Sequence, residues 1–391
     1  MDRPLSLYLD LLRVAAALWV FLAHAALLLP QTGLPEFWWT AEDAVMGFFV
    51  LSGFVVAHTA AARHGTLRDY AAARLARLWS VAVPALLLAL AVDRVGSALH
   101  PLDPFWNEPH ALGRVAAGLA FLHELWFASL QMPGNVPYWS IGYEFWYYVL
   151  FGCALYLNGR RRLVAVGAAA LVAGPKILIL LPVWAMGVAV QRIVMRGGRI
   201  GPFALTPGLG WALFGGSIAA YAVAHALELR PGLEWRAERL VPAGIELGWS
   251  TEFWWKLIVG ALAAANLLGF AAIAAPAVAD PLGARLAGWL EAAARPVRWL
   301  AGMSYSVYLF HWPLLLLLVL AAGGGAAGPA EPPPWPVWGS AAALAAVLAA
   351  IAGLAGFTER RKTAARRAVE AGLAWAAGAK AAMARRGRSA V

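Results

Sequence analysis

The sequence predicts an all-α, polytopic membrane helical bundle with about ten transmembrane helices plus one re-entrant or interfacial helix. Three observations predict it. Of 391 residues, 62% are hydrophobic and only 13% charged, where a soluble domain carries about 25% charged residues. Apolar stretches long enough to cross a bilayer recur along the chain. The Lys and Arg residues collect in alternate connecting segments, as positive-inside topology requires. Twenty Trp and ten Tyr suit aromatic belts at two membrane faces.

A spanning helix needs about 20 mostly apolar residues. Ten segments qualify: 7–29, 42–62, 79–97, 137–158, 162–174, 176–194, 206–227, 250–275, 299–321 and 335–357, of which the fifth is short. With the N-terminus inside, these spans leave 23 Lys and Arg on the cytoplasmic side, six outside and two within spans. The apolar stretch 111–130 carries Arg114, His123 and Glu124. If it spanned, Arg160 to Arg162 would face outward, so it reads as a re-entrant or interfacial helix held against protein. The expected outer loops are 30–41, 98–110, 228–249 and 323–334, the last a turn-dense run from Gly323 to Pro334.

Residues 1–358 are expected to form the transmembrane domain, and 359–391 a basic cytoplasmic tail able to lie on an anionic leaflet. Both termini are then cytoplasmic. Arg3, an apolar run and Ala23-His24-Ala25 imitate a cleavable secretory signal, but Asp10 and Arg13 interrupt the region that should be purely apolar. A soluble enzyme, a secreted module and a nucleic-acid-binding protein are all disfavoured; the partner is the lipid bilayer. The single Cys153 excludes a disulfide framework and a Cys-based zinc site, and no metal is expected. No internal repeat points to a transporter of inverted halves.

Charges inside spans cost about 2.5–3.5 kcal/mol each, so each is a candidate functional group. Asp10 and Arg13, three apart, can pair on one helix face. Arg13 and His24 share a stripe, eleven residues apart, or about 16 Å along the axis. In the fourth span Ser140, Glu144 and Tyr147 share a face. Glu144 and His24 should lie at similar depth, as a carboxylate orienting an imidazole general base. The plainer alternative is an ion pair locking two helices. His311, mid-span before Pro313, is either a hydrogen-bonded structural His or a substrate ligand. Arg74 and Arg77, before the third span, either grip phosphate or obey positive-inside. Lys256 beside Trp254-Trp255 is expected to snorkel outward.

Together these residues resemble the acyltransferase-3 family of bacterial integral membrane acyltransferases. Leu9-Asp10-Leu11-Leu12-Arg13 followed by His24 is similar to its first-helix pattern, and Phe48-Phe49-Val50-Leu51-Ser52-Gly53-Phe54 to its second-helix signature. Arg74 and Arg77 resemble its cytoplasmic basic motif. Trp139-Ser140-Ile141 with Glu144 and Tyr147-Tyr148, and Ser304-Tyr305-Ser306 through His311 and Pro313, resemble its two later segments. Leu11 stands where the family usually has Gly.

The resemblance implies an enzyme of the bacterial inner membrane. It would move an acyl group, commonly acetyl, from acetyl-CoA or another acyl-CoA to a hydroxyl of an envelope carbohydrate, a glycolipid or a glycosylated small molecule. On that basis His24 and Glu144 are the expected catalytic pair, and Arg13, Arg74 and Arg77 the groups for the CoA phosphates. Ser140, Tyr147 or Tyr148 would donate to the developing oxyanion. Ser52, Trp139 and His311 are further expected substrate contacts. A transporter or flippase for a carbohydrate or lipid, using the same buried charges, is the alternative.

Overall fold

The computed structural model describes residues 2–63, 65–103, 105–106, 109–200, 203–242, 244–274, 280–322, 336–361, 363–372 and 374. The expected hairpin 323–334 and the end of the expected tail lie outside the described residues. The described chain is mainly helical: α1 (Arg3–Leu28), α2 (Ala41–Arg63), α3 (Leu67–Leu99), α4 (Ala111–Leu119), α5 (Trp139–Tyr156), α6 (Gly159–Ala173) and α7 (Pro175–Met195). There follow α8 (Pro207–Ala226), α9 (Leu229–Glu238), α10 (Phe253–Ile273), α11 (Pro281–Ala292), α12 (Ala294–Ala301), α13 (Ser304–Ala321) and α14 (Val337–Phe357). Between α7 and α8, β1 (Arg199–Ile200) pairs antiparallel with β2 (Phe203–Ala204).

Among the described residues, eight helices are long and apolar enough to cross a membrane: α1, α2, α3, α7, α8, α10, α13 and α14. The other two expected spans are α5 and α6. With 15 residues, α6 is about 22 Å long, short of the ~30 Å hydrocarbon core. Helix α3 is longer than expected, at 33 residues. Thr66 caps it by accepting from the Asp69 N–H at 3.1 Å, so Arg74 and Arg77 lie on the helix rather than ahead of it. The stretch 111–130 is helical only as far as Leu119, and α11 and α12 occupy a connection expected to be a loop.

Helix α1 packs on α2, α12 and α13, α2 on α7 and α10, and α13 on α3 and α14, while α5 joins α3 and α6. Two-thirds (67%) of the α13 span is buried, against 22% for α14 and 17% for α8, so α13 is the central helix and the other two are peripheral. Pro313 cannot donate to the carbonyl of Leu309, four residues back. The side chain of Asn135 does so instead, Nδ2 to O at 3.0 Å, which satisfies the freed acceptor and ties α13 to the segment leading into α5.

Glycines set the α2–α7 crossing. A Cβ on Gly53 would sit 2.0 Å from the Trp184 carbonyl oxygen, and one on Gly187 would sit 1.9 Å from that of Val50. Only hydrogens fit between these backbones, as at small-residue interfaces in membranes. The close crossing also brings the Trp184 indole N–H to Ser52 Oγ, at 3.3 Å. Gly187→Ala should therefore destabilise the protein by about 1–3 kcal/mol. Gly167→Ala, with nothing within 4 Å of the added methyl, should be neutral or gain up to about 1 kcal/mol from helix propensity. Thermal midpoints in detergent check both; equal midpoints for the two variants would refute the tight crossing.

Candidate functional site

A narrow chamber of about 60 Å³ lies between α1, α2, α3, α5 and α13. That is room for a few waters. Its arginine-rich end is formed by Arg13, Arg74 and Arg77, its middle by Ser52, Glu144 and Tyr148, and its far end by Phe48, Ser140 and Tyr308. Arg13 Nη1 donates to Asp10 at 3.0 Å. Arg74 donates through Nη2 to Thr59 Oγ1 at 2.9 Å and lies over the Tyr70 and Tyr148 rings, 5.7 Å from each centroid. It is only 9% exposed, yet its Nε has no hydrogen-bond partner. A buried donor left unpaired on a cavity wall is costly unless a ligand acceptor reaches it.

Glu144 is the one carboxylate among the described lining residues. It accepts from Ser52 Oγ at 2.6 Å and from the Tyr148 hydroxyl. Tyr308 donates to the Pro137 carbonyl at 2.8 Å, and Ser140 Oγ lies 2.7 Å from its hydroxyl. The carbonyl can only accept, so Tyr308 gives it its proton and Ser140 donates to Tyr308. Tyr147, fully buried, donates to the Ile177 carbonyl at 3.1 Å, and Trp139 stacks on Trp249 at 5.1 Å.

These contacts correct two expectations. The hydroxyls expected to donate to an oxyanion already donate elsewhere, and Tyr147 is turned toward α7, leaving Ser140, Glu144 and Tyr148 as the chamber face of α5. His24, moreover, is hydrogen-bonded not to Glu144 but to His311, Nδ1 to Nε2 at 2.8 Å. Glu144 is taken up by Ser52 of α2, one helix away from His24.

The two imidazoles are nearly parallel, 3° between planes, and the Trp312 ring stands edge-on to His24 at 4.9 Å. His311 Nδ1 lies 3.0 Å from the Val307 carbonyl. That oxygen only accepts, so Nδ1 of His311 carries a proton, and in the neutral ring Nε2 is an acceptor. His24 must then donate from Nδ1, which leaves its Nε2 unprotonated and, among the described residues, without a hydrogen-bond partner. His311 is fully buried, whereas His24 is partly exposed. The Tyr308 ring, at the far end of the chamber, lies 6.2 Å from that of His311.

Beyond the far end lies a second polar region. Lys176 is fully buried and donates to Glu124 at 2.5 Å, to Ser129 at 2.7 Å and to the Ala128 carbonyl. Burial pushes the Glu124 carboxyl up to about 7 even against this ammonium. Lys256 does not snorkel outward: it is 2% exposed, donates to the Trp249 carbonyl at 2.6 Å and pairs with Glu42. Glu42, Glu234, Glu252, Trp249 and Lys256 line a cavity of about 440 Å³. Asp43 accepts from Tyr221 and Trp255, both at 2.8 Å, tying α2 to α8 and α10. Neither the Asp43 network nor the Glu124–Lys176 pair is legible in the sequence, which shows a charge near each span end but not its partner.

The chain matches the acyltransferase-3 family model, described as an acyltransferase domain, over residues 6–355. Neither the curated proteins nor the solved structures yield a match.

The buried Lys176–Glu124 pair gives a test of this region. Lys176→Met leaves Glu124 either to stay charged without its partner or to take up a proton, and should cost up to about 3–5 kcal/mol, whereas Lys176→Met with Glu124→Gln should recover much of that loss. A double-mutant cycle of thermal midpoints reads the difference; strictly additive losses would show that the two groups do not depend on each other.

Proposed function

Because the chain belongs to the acyltransferase-3 family and is a membrane acyltransferase, we propose that it moves an acyl group, acetyl foremost, from acyl-CoA to a hydroxyl of an envelope carbohydrate, a glycolipid or a glycosylated small molecule. The donor comes from the arginine-rich face, which we take as the cytoplasmic side of a bacterial inner membrane, and the acceptor from the opposite face. The observation that carries this reading is the chain Val307 carbonyl–His311–His24, which leaves one imidazole lone pair free inside a membrane bundle.

CoA is polyanionic at one end and carries its thioester on a long, unbranched arm. The guanidiniums of Arg13, Arg74 and Arg77 suit the phosphates, and the chamber leads from them to Tyr308, whose ring lies 6.2 Å from that of His311, the partner of His24. At that point Nε2 of His24 removes the proton of the acceptor hydroxyl as its oxygen attacks the thioester carbon. The new C–O bond forms, the C–S bond breaks, and the CoA thiolate leaves, taking the proton from His24. His311 fixes the tautomer of His24 and keeps its Nδ1–H hydrogen-bonded as the ring becomes charged. The 440 Å³ cavity, with carboxylates and the Trp249 indole, has the chemistry that holds a polyhydroxylated acceptor.

His24→Ala should lower transfer of radiolabelled acetyl from acetyl-CoA by about 10²–10⁴-fold, the usual contribution of a general base, with membrane insertion retained. Near-normal turnover would remove His24 from the mechanism. Arg13→Ala should chiefly raise the acetyl-CoA concentration needed for half-maximal rate. An unchanged donor dependence would make Arg13 a packing residue.

A further inference from the structure

A further cavity, of about 490 Å³, opens at the arginine-rich face. It shares Arg13, Arg77 and Ser304 with the chamber, so the two are consecutive parts of one path. New to it are Arg298 and Trp299 of α12 and Arg360, just after α14. The Trp299 side chain is 51% exposed, and the Arg360 guanidinium lies 5.5 Å from its ring centroid. Four guanidiniums line this mouth against two carboxylates, and both of those are engaged. Asp10 holds Arg13 at 3.0 Å. Glu359 accepts from the backbone N–H and the Oγ of Ser306, each at 3.2 Å.

That second contact explains why Arg360 is where it is. The first N–H groups of a helix lack intrahelical partners, and a carboxylate at that end is favoured by the helix dipole as well. Glu359 thus staples the segment after α14 to the first turn of α13. Its neighbour Arg360 is then held over Trp299, beside Arg298. Neither Arg298 nor Arg360 forms an ion pair among the described residues. Deeper in, the unpaired Nε of Arg74 waits for an acceptor on the same path.

Cations alone would suit any phosphate, including a lipid headgroup. An exposed indole face beside two unpaired guanidiniums suits a ligand that joins several phosphates to a planar base. We propose that this mouth is the nucleotide subsite for the acyl donor: adenine lies on Trp299, Arg298 and Arg360 grip the phosphates, and Arg13 and Arg77 flank the passage of the thioester arm into the chamber. This rests on the acyl-CoA reading above and extends it to three residues on two further segments of the chain.

The test uses the full chain in phosphatidylcholine nanodiscs with two donors, acetyl-CoA and S-acetylpantetheine, which lacks the nucleotide. The ratio of kcat/KM for acetyl-CoA to that for S-acetylpantetheine should fall about tenfold in Arg298→Ala and in Arg360→Ala, the loss expected for one charged hydrogen bond. It should also fall in Trp299→Ala and return in Trp299→Phe. An unchanged ratio in all three alanine variants overturns the subsite, and so does an equal loss with both donors. Calorimetric titration with CoA separates this failure from that of the parent reading. If the wild type binds CoA and the variants bind it equally well, only the subsite falls; if the wild type binds no CoA, the donor assignment falls with it. Adding phosphatidylglycerol to the nanodiscs distinguishes the lipid source. Competition with CoA that depends on Arg298 and Arg360, with the donor ratio unchanged in the variants, would make the mouth a headgroup site and overturn the proposal.

Discussion

The site depends on one main-chain carbonyl. Val307 O accepts from Nδ1 of His311, and because a carbonyl has no proton to give, the protonation of two rings follows. His311 must present a lone pair at Nε2, His24 must meet it with Nδ1–H, and Nε2 of His24 is left as a base. Three of the four ring nitrogens are satisfied inside the protein, and the fourth faces away from the pair. The arrangement needs α13 as a regular helix at Val307–His311 even though Pro313 follows two residues later. Asn135 makes that possible by donating to the carbonyl that Pro313 abandons.

Around this pair the bundle separates charge along its length. Arg13, Arg74 and Arg77 stand at one end of the chamber, while the buried lysines, Lys176 and Lys256, sit toward the other and are paired with Glu124 and Glu42. Unpaired guanidinium N–H groups therefore occur on the side where a polyanionic donor would enter. The glycine-mediated approach of α2 and α7 fixes the position of α2, whose Ser52 donates to Glu144 and accepts from Trp184.

Much of this was legible in the sequence, and the reason is physical. Ionisable residues in a membrane span are costly enough that Arg13, His24, Glu144 and His311 stand out without any coordinates. Helical periodicity then put Arg13 and His24 on one stripe. What periodicity could not supply was the neighbour across a helix–helix contact: depth along the membrane normal matched His24 to Glu144, whereas lateral packing of α1 against α13 and of α2 against α5 gave His24 to His311 and Glu144 to Ser52. Hydroxyl groups show the same limit. Ser140, Tyr147 and Tyr148 are legible in the sequence as hydroxyls on α5, but which acceptor each serves is set by helices whose rotation a sequence does not encode locally. The snorkelling expected of Lys256 failed because Glu42 and the Trp249 carbonyl lie within its reach inside the bundle. The short helices α11 and α12 are not legible as apolar spans because their pattern is amphipathic rather than uniformly apolar.

The tautomer of the histidine pair is the point on which the chemistry turns, and nitrogen-15 NMR of histidine-labelled protein in nanodiscs measures it directly. The two rings are assigned by the signals lost in His24→Gln and in His311→Gln. At mildly alkaline pH both rings should carry their proton on Nδ1, with Nε2 of His24 unprotonated. A proton on Nε2 of either ring would contradict the account, because His24 would then have no lone pair with which to take the acceptor's proton.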